Sequence, residues 1–455
     1  MQQLMEVLSK INGVLWHDIV LYILLAVGVL FTLWSGIGQY RALTHGVAVV
    51  RGKYDDKSDP GAINHFQALS TALSATVGLG NIAGVAIAIS LGGPGAVFWM
   101  WVIGIVGMAL KLTEVTQAML FRDTSDPENP HGGAMWVCKK GFAKINPGLA
   151  PLGVVVGGIF CVTLLISTVT GGNMFQAWNV ADIGFTYFGI PQIVTGIVLA
   201  VGVGIVIIGG IKRIGDVAGK IVPFMCAIYI LAGLYVIVVN ASEIPAMFGL
   251  IFKEAFSPSE GVGAFIGGTA GYGFLKGMQR ALFSNEAGQG SAPIAHSAAK
   301  TDEPVREGVV AGLEPFIDTI CVCTITALVI LLSGTWNRDP ALVFPEGQAP
   351  AFVQNEAGSW AAPATPLTVK DSMEAKAQMR DGTEVFLVVT AGTNAETGMD
   401  RHKVKGVVRG SESEGYRAEW VPFSAPEQPV VAIPGAYFNF NGATLTAKAY
   451  DRVLP

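Results

Sequence analysis

The feature that most limits what this chain can fold into is a series of eight long apolar runs between residues 19 and 333. The first run, residues 19–37, is uncharged, and a helix needs about 20 apolar residues to cross a bilayer. Lipid offers backbone N–H and C=O groups no partners, so a spanning segment must satisfy them internally. We therefore predict an all-α polytopic membrane protein. Its predicted spans are residues 19–37, 66–93, 96–120, 152–180, 191–211, 221–239, 262–275 with a polar continuation to 290, and 316–333.

Composition argues against several other classes of protein. Charged residues make up 14% of the chain, whereas soluble domains contain about a quarter. The net charge of −5 leaves no basic stripe to neutralise phosphates, so no nucleic-acid partner is expected. The five cysteines form no CxxC pair and share no metal-ligand spacing with histidine. No HExxH, GxSxG or paired intramembrane His/Asp set is present, and the chain is not predicted to be an enzyme.

Basic residues occur in alternate loops, and this pattern predicts an orientation in the cell (inner) membrane. The positive-inside rule places the loops that follow the odd-numbered spans in the cytoplasm. The N-terminal segment, residues 1–18, lacks the pattern of a signal peptide and is expected outside. The basic residues of the predicted cytoplasmic loops are Arg41, Arg51, Lys53, Lys57, Arg122, Lys139, Lys140, Lys144, Lys212, Arg213, Lys220, Lys300 and Arg306.

Residues 334–455 differ abruptly from the apolar part of the chain and contain no run that could span a membrane. Segments 384–390, 403–408 and 429–433 are rich in strand-forming residues, and Gly and Asp turn signals separate them. We predict a small β-rich soluble domain on the outer side, whose first part, residues 335–366, is interpreted as a linker. The predicted domains are residues 1–18, an N-terminal segment; 19–333, a transmembrane core; and 334–455, the outer linker and domain.

The second apolar run is interrupted by glycines at residues 78–84, which read Gly-Leu-Gly-Asn-Ile-Ala-Gly. A helix broken within a membrane can aim a half-helix N-terminus at an anion while its free carbonyls coordinate a cation. Asn81 adds a side-chain oxygen suited to sodium. The alternative is close helix packing through Gly80 and Gly84, and this motif alone does not decide between the two. A second glycine-rich break, predicted at residues 261–277, favours a transport site because such breaks occur in pairs in inverted-repeat transporters.

Four stretches also resemble the alanine/glycine:cation symporter family. They are VGLGNIAGVA at 77–86, GGPGAVFWMW at 92–101, GNMFQ at 172–176 and FSNEAGQGSAPIAH at 283–296. The resemblance implies a leucine-transporter-like fold, a 5+5 inverted repeat with one extra N-terminal helix. It also implies that alanine or glycine is carried inward together with sodium.

Site residues follow from this resemblance position by position. The N–H groups of Leu79 and Gly80 are expected to bind the substrate carboxylate, with Asn173, Gln176, Thr269 and Gly271 as further substrate contacts. One sodium ion is expected at Thr76 and Asn81. The other is expected at the carbonyls of Ser74 and Val77. The remaining partners expected are the lipid bilayer and the transported amino acid, and no oligomeric state is predicted.

Charged residues inside or beside the spans have competing interpretations. Lys111 and Glu114 lie one helical turn apart, so a local ion pair is favoured. Asp318 is either functional or an interfacial cap, because it follows Pro315 by three residues. Glu286 is interpreted as an element of a cytoplasmic gate, with Arg280 as its partner.

The family pattern is incomplete in this sequence. The resemblance implies five helices in the second repeat, whereas residues 262–275 and 316–333 supply two. We therefore expect an incomplete chain whose pocket lacks one wall. A second hypothesis is a non-transporting membrane sensor or binding protein for amino acids, with residues 334–455 as its outer module. Coupling to protons would require a buried titratable group, for which Asp318 is the candidate.

Overall fold

A computed structural model of the protein describes residues 7–454, apart from residues 8–10, 12, 15–16, 57, 260–264, 266, 357, 371–377 and 441. The described part is mainly helical, with a β-rich part near the C-terminus. The helices are α1 (Asp18–Trp34), α2 (Gly38–Val50), α3 (His65–Thr76), α4 (Gly80–Gly92), α5 (Gly95–Phe121), α6 (134–145), α7 (Pro147–Phe188), α8 (Gln192–Ile207), α9 (Gly210–Val239), α10 (Ile244–Ala255), α11 (Ala270–Asn285), α12 (Ala292–His296), α13 (Pro304–Leu332) and α14 (Gly442–Asp451).

Apolar helices occupy most of the predicted spans. In the described residues, α5, α7, α9 and α13 are each long and apolar enough to cross a membrane. Two bent pairs also qualify, α1 with α2 at 69° and α3 with α4 at 46°, whereas α8 is apolar but shorter. In the apolar stretch of α7, only 11% of the residues are buried against the rest of the described chain. This helix therefore presents an apolar surface suited to lipid.

The seventh predicted span is wrong in its bounds. The helix in this region is α11, Ala270–Asn285, and residues 260–264 and 266 lie outside the described part of the chain. The predicted break at residues 261–277 is non-helical at its described residues 265 and 267–269, but the helix runs without interruption through Gly273 and Gly277 in its second half. A Cβ atom would lie 2.8 Å from the Gly92 carbonyl oxygen at Gly273 and 2.4 Å from the Ala96 oxygen at Gly277. These glycines therefore serve close packing of α11 against its neighbours.

The sixth span also begins earlier than predicted. Helix α9 starts at Gly210, which has a φ of 69°, instead of at residue 221. Lys212, Arg213 and Lys220 consequently lie on the first turns of a helix and not in a loop.

Two compact units make up the chain. One comprises Met1–Val85, Met100–Val238 and Met278–Thr326, and the other comprises Ala86–Trp99, Val239–Gly277 and Ala327–Pro455. The first unit contains the broken helix pair α3 and α4 up to Val85. The second contains the β-sheet. The predicted domain boundary at residues 333–334 stays a prediction.

The β-rich part is a seven-stranded sheet in the order β1-β4-β7-β6-β5-β8, with β9 pairing to β5, and every pairing is antiparallel. A separate two-stranded sheet joins β2 and β3. Val385, Leu387 and Val389 on β5 are fully buried in its apolar core. The strands are β1 (Leu342–Val343), β2 (Val353–Gln354), β3 (Trp360–Ala361), β4 (Thr365–Val369), β5 (Glu384–Thr390), β6 (Arg401–Ser411), β7 (Gly415–Trp420), β8 (Val430–Val431) and β9 (Tyr437–Phe438).

Interpretation of residues 335–366 as a linker is wrong. This segment forms β1, β2, β3 and the start of β4. Leu342 and Phe352 lie in the buried core of the sheet, so the segment contributes to the folded β-rich part.

Candidate functional site

The first helix interruption lies where the glycines predicted it. Helix α3 ends at Thr76, and Val77 has extended backbone angles of φ −78° and ψ 96°. The chain resumes at Gly80–Gly84 as a π-helical turn, which continues as α-helix to Gly92. The resulting 46° bend separates α3 from α4 and leaves a new helix N-terminus inside an apolar segment.

The interruption creates a helix N-terminus at Leu79 and Gly80, both of which are buried. The first N–H groups of a helix have no acceptor in the preceding turn. The Gly78 N–H donates to Asn81 Oδ1 at 2.8 Å, and the N–H groups of Asn81 and Ile82 donate to the Gly78 carbonyl. Leu79 and Gly80, the predicted carboxylate-binding residues, lie in this first turn. Their role in binding a carboxylate stays a prediction.

Asn81 lies at the centre of a fully buried polar cluster. Its Nδ2 is 2.6 Å from Asp318 Oδ1, 3.0 Å from the Asp318 carbonyl oxygen, 3.2 Å from Ser284 Oγ and 3.3 Å from Cys323 Sγ. The hydroxyls of Ser284 and Thr319 donate to Asp318 Oδ2 at 2.9 and 2.7 Å. We call these five residues the Asn81–Asp318 cluster. Asp318 is 0% exposed, which excludes the interfacial cap.

More acceptor atoms surround Asn81 Nδ2 than its amide group has hydrogens, and two of them, Ser284 Oγ and Cys323 Sγ, belong to groups that can also donate. An amide NH2 has two hydrogens, yet four acceptor atoms surround Asn81 Nδ2. One acceptor belongs to a buried carboxylate, whose charge requires a proton or a cation nearby. Oxygen atoms from a carboxylate, a hydroxyl and a carbonyl are ligands suited to a hard cation such as sodium.

Gly80 allows α4 to approach the end of α11 closely. A Cβ atom at Gly80 would lie 3.0 Å from Ser284 Cα, whereas one at Gly84 would meet nothing within 4 Å. The alternative interpretation, packing through both glycines, is therefore supported at Gly80 only. There the close packing brings Ser284 to the cluster.

A small cavity adjoins the interruption. It measures about 40 Å³, room for about three waters at roughly 10–15 Å³ each. Tyr229 at its wall contacts the hydroxyl of Thr326 at 2.6 Å. Its lining residues are Val77, Gly78, Asn81, Ile82, Met225, Cys226, Tyr229 and Val322.

Two of the sodium ligands predicted from the family differ in their surroundings. Thr76 is buried, and its hydroxyl donates to the Ala72 carbonyl at 3.5 Å. Ser74 is exposed, and its hydroxyl donates to the Thr71 carbonyl at 2.6 Å. Thr76 and Val77 adjoin Asn81 at the interruption, whereas Ser74 lies within the last turn of α3.

Among the described residues, no hydrogen bond, ion pair or ring contact joins a predicted substrate contact outside α4 to the Asn81–Asp318 cluster. Asn173 is exposed within a π-helical stretch of α7, Thr168–Met174, and Gln176 is half-buried. The ring of Phe175 between them packs at 5.5 Å against Phe283, the neighbour of Ser284. These roles stay predictions.

Thr269 and Gly271 lie in the second compact unit. The Thr269 N–H donates to the Thr397 carbonyl at 3.0 Å, and its hydroxyl accepts from the Tyr272 N–H at 3.3 Å. Gly271 lies in the first turn of α11. Their predicted roles as substrate contacts stay predictions.

A further helix interruption, which was not predicted, lies inside the FSNEAGQGSAPIAH stretch. Helix α11 ends at Asn285, and Glu286, Gly288 and Gly290 all have positive φ, which ends a right-handed helix. The chain resumes as α12 after this turn. Glu286 accepts a hydrogen bond from the Ser291 hydroxyl, and its pairing with Arg280 stays a prediction. Two glycines before a proline, Gly288 and Gly290 before Pro293, were the sequence signal for this turn.

A second buried set of ionisable residues was not predicted from the sequence. His296 contacts Glu307 Oε1 through Nδ1 at 2.5 Å and Glu314 Oε1 through Nε2 at 2.6 Å. Glu307 also contacts His65, and Lys111 Nζ lies 3.1 Å from Glu314 Oε2, although the angles are not those of a hydrogen bond. We call these five residues the buried charge chain. Each is at most 2% exposed.

Lys111 therefore has a closer partner than predicted. Its distance to Glu114 is 3.9 Å, against 3.1 Å to Glu314, so the local ion pair exists but is secondary. Burial alone would lower the pKa of His296, but its hydrogen bonds to Glu307 and Glu314 raise that pKa to about 9.

Comparison with known proteins gives a consistent result. A model of the sodium:alanine symporter family matches residues 1–386. The sodium/alanine symporter AgcS of Methanococcus maripaludis is 44% identical over 72% of this chain and 71% of its own length. Two Bacillus subtilis proteins are similar as well. The putative sodium/proton-dependent alanine carrier protein YrbD is 39% identical over 74% of this chain and 66% of its own, and the probable sodium/glutamine symporter GlnT is 35% identical over 79% and 72%.

Proposed function

Because the chain belongs to the sodium:alanine symporter family, we propose that it carries sodium and a small neutral amino acid, alanine or glycine, together across the cell membrane. The family match confirms the resemblance found in the sequence. Because this family consists of symporters, the match also confirms the prediction that the chain is not an enzyme. Cation-coupled amino-acid transport is therefore its functional class. Sodium and the amino acid are cargo in this function.

The observation that carries the proposed sodium site is the convergence of the Asp318 carboxylate, the Asp318 carbonyl and the Ser284 hydroxyl on Asn81 Nδ2. Rotating the side-chain amide of Asn81 by 180° would place Oδ1 where Nδ2 now lies, next to the Asp318 carboxylate and the Ser284 hydroxyl. A sodium ion there would neutralise the buried carboxylate. The same rotation would release the Gly78 N–H, which now donates to Asn81 Oδ1. Thr76, Asn81, Ser284 and Asp318 are thus the proposed ligands of one sodium ion, and Ser74 and Val77 remain the proposed carbonyl ligands of the other.

The amino acid is proposed to bind beside this ion. Its carboxylate would accept hydrogen bonds from the N–H groups of Leu79 and Gly80 at the N-terminus of α4. The adjoining cavity of about 40 Å³ supports a small side chain over a large one. The chain is similar to relatives named for alanine and for glutamine, so size selection is the part of the proposal that needs measurement.

Uptake by the purified full chain in proteoliposomes tests this function. With an inward sodium gradient, we expect radiolabelled alanine to accumulate, and an equal potassium gradient should give no accumulation. Asn81→Ala should weaken apparent sodium affinity about tenfold or more, or ~1.4 kcal/mol. Excess unlabelled glycine should compete, whereas glutamine should not.

Asn179→Ala is the matched control for Asn81→Ala. Asn179 is also a buried amide in a membrane helix, but its Nδ2 donates to the Phe175 carbonyl of its own helix. Equal loss of sodium affinity in both variants would contradict the site at Asn81. Alanine binding that never responds to sodium would instead favour the sensor hypothesis.

A further inference from the structure

The buried charge chain contains a proton that the contacts around His296 require. Both imidazole nitrogens lie within 2.6 Å of a carboxylate oxygen, and both carboxylates are 0% exposed. A neutral imidazole has one N–H donor and one acceptor nitrogen, so it can satisfy only one of these two contacts. One additional hydrogen must therefore be bound, either on the ring or on one carboxyl group.

The surrounding charges favour that extra proton. Glu307 and Glu314 carry two negative charges, and Lys111 alone supplies one permanent positive charge among the five chain residues. A protonated His296 brings the set to neutrality, which burial strongly favours. The other ionisable groups around it are Asp55, His65, Glu114 and Arg122, whose guanidinium donates to the carbonyls of Ser297 and Ala299 at 2.8 Å.

A route connects this position with the surface. Glu307 Oε2 contacts His65 Nδ1, and His65 Nε2 lies 3.9 Å from Oδ1 of Asp55, whose side chain is 48% exposed. When His65 Nδ1 carries no hydrogen, protonated Glu307 can donate to it, and Nε2 can then release its own proton toward Asp55. The last gap exceeds a hydrogen bond, so a bridging water or a side-chain rotation completes it.

We propose that His296, held between Glu307 and Glu314, is a proton-binding site of this protein, and that its proton is exchanged with the surface through His65 and Asp55. This site is separate from both proposed sodium sites. It joins the start of α3 to the segment α12 that follows the interruption after α11, since His65 begins α3 and His296 ends α12. Release of the proton leaves two facing carboxylates and loosens this connection.

Proton counting on the purified full chain tests the site without sodium or alanine. Potentiometric titration from pH 7 to pH 10 should release about one proton more per chain from the wild type than from His296→Gln/Glu307→Gln. This double variant removes one cation and one anion, so the buried set remains neutral. Equal proton release would overturn the proposal. Asn81→Ala should release as many protons as the wild type, so failure here is distinguishable from failure of the proposed sodium site.

Histidine-15N NMR on the wild type keeps the test decisive if the double variant does not fold. The imidazole assigned to His296 should be doubly protonated at pH 7.5, about one unit above the pKa of an ordinary histidine. A neutral His296 ring, with a hydrogen on only one of its nitrogens, would overturn the proposal if infrared spectroscopy also showed no protonated carboxyl group on Glu307 or Glu314.

The route has its own measurement. After a jump from pH 7 to pH 10, His65→Gln should release the same number of protons as the wild type, but about tenfold more slowly. Lys212→Gln, a change at an exposed residue, is the control and should leave the rate unchanged. An unchanged rate in His65→Gln would exclude this route.

Discussion

Asp318 supplies the negative charge with which the Asn81–Asp318 cluster would attract a cation. Its carboxylate receives hydrogen bonds from Asn81, Ser284 and Thr319, and these neutral donors bring no compensating charge. Asp318→Asn keeps the side-chain shape and removes the charge. We expect sodium affinity to fall about tenfold or more, ~1.4 kcal/mol, with protein yield preserved. Sodium binding to the purified protein measures this effect.

Asp216→Asn is the corresponding control. Asp216 is an exposed residue near the start of α9 that accepts from Gln67 Nε2 at 2.7 Å. Unchanged sodium affinity in Asp318→Asn would show that the cluster is a structural polar network.

His296 makes the stability of the fold depend on pH. Its pKa rises from 6.5 to about 9 in the folded protein, so protonation stabilises the fold by ~3 kcal/mol. Because the folded pKa is the higher one, this contribution is complete below pH 6.5. It falls as pH rises and is lost above pH 9. We expect the Tm to decrease between pH 6.5 and 9. The same scan of His296→Gln/Glu307→Gln should lack this decrease, and parallel curves for the two proteins would contradict the assignment.

Sequence reasoning reached the individual residues unevenly. Asn81 could be selected because its glycine neighbours mark a local break. The interpretation of Asp318 stayed open because its partner Ser284 lies 34 residues away. The contact of His65 with Glu307 spans 242 positions, and no local pattern in a single sequence indicates such a pairing.

At the scale of elements, the approach of α4 to α11 depends on one glycine. An added Cβ at Gly80 would lie 3.0 Å from backbone Ser284 Cα, which cannot rotate away. We expect Gly80→Ala to destabilise the protein by ~1–3 kcal/mol through overpacking. Thermal unfolding in detergent measures this change.

Gly84→Ala provides the comparison within the same π-helical turn. No atom lies within 4 Å of a Cβ there, so the substitution should be neutral or stabilise the helix by up to ~1 kcal/mol. A similar loss in both variants would mean that the turn requires glycine for its backbone and not for the contact with Ser284.

The interruption after α11 shows what glycine spacing does not reveal. Glycines that break a helix and glycines that let helices pack closely have the same sequence signature. Gly273 and Gly277 belong to the packing class, while Gly288 and Gly290 have positive φ and end α11. Only the neighbours of each glycine distinguish the two, and those neighbours come from distant parts of the chain.

At the scale of the whole molecule, hydropathy predicted the helical class well. Long uncharged runs leave few alternatives in lipid, so most spans were found. Residues 335–366 were misassigned because β1 and β2 have two residues each, too short for a period-two pattern. The 5+5 inverted repeat came from the family resemblance and stays a prediction.

The orientation of the chain is the last prediction, and it follows from the basic loops. We expect residues 334–455 outside and the start of α9 at the cytoplasmic face. Ser413→Cys, on an exposed turn between β6 and β7, should react with a membrane-impermeant maleimide in intact spheroplasts. Lys212→Cys, whose side chain is 59% exposed in the wild type, should react only after permeabilisation. The wild type is the background control, because its five cysteines are half-buried or buried. Labelling of Lys212→Cys in intact spheroplasts, with Ser413→Cys protected, would reverse the predicted orientation.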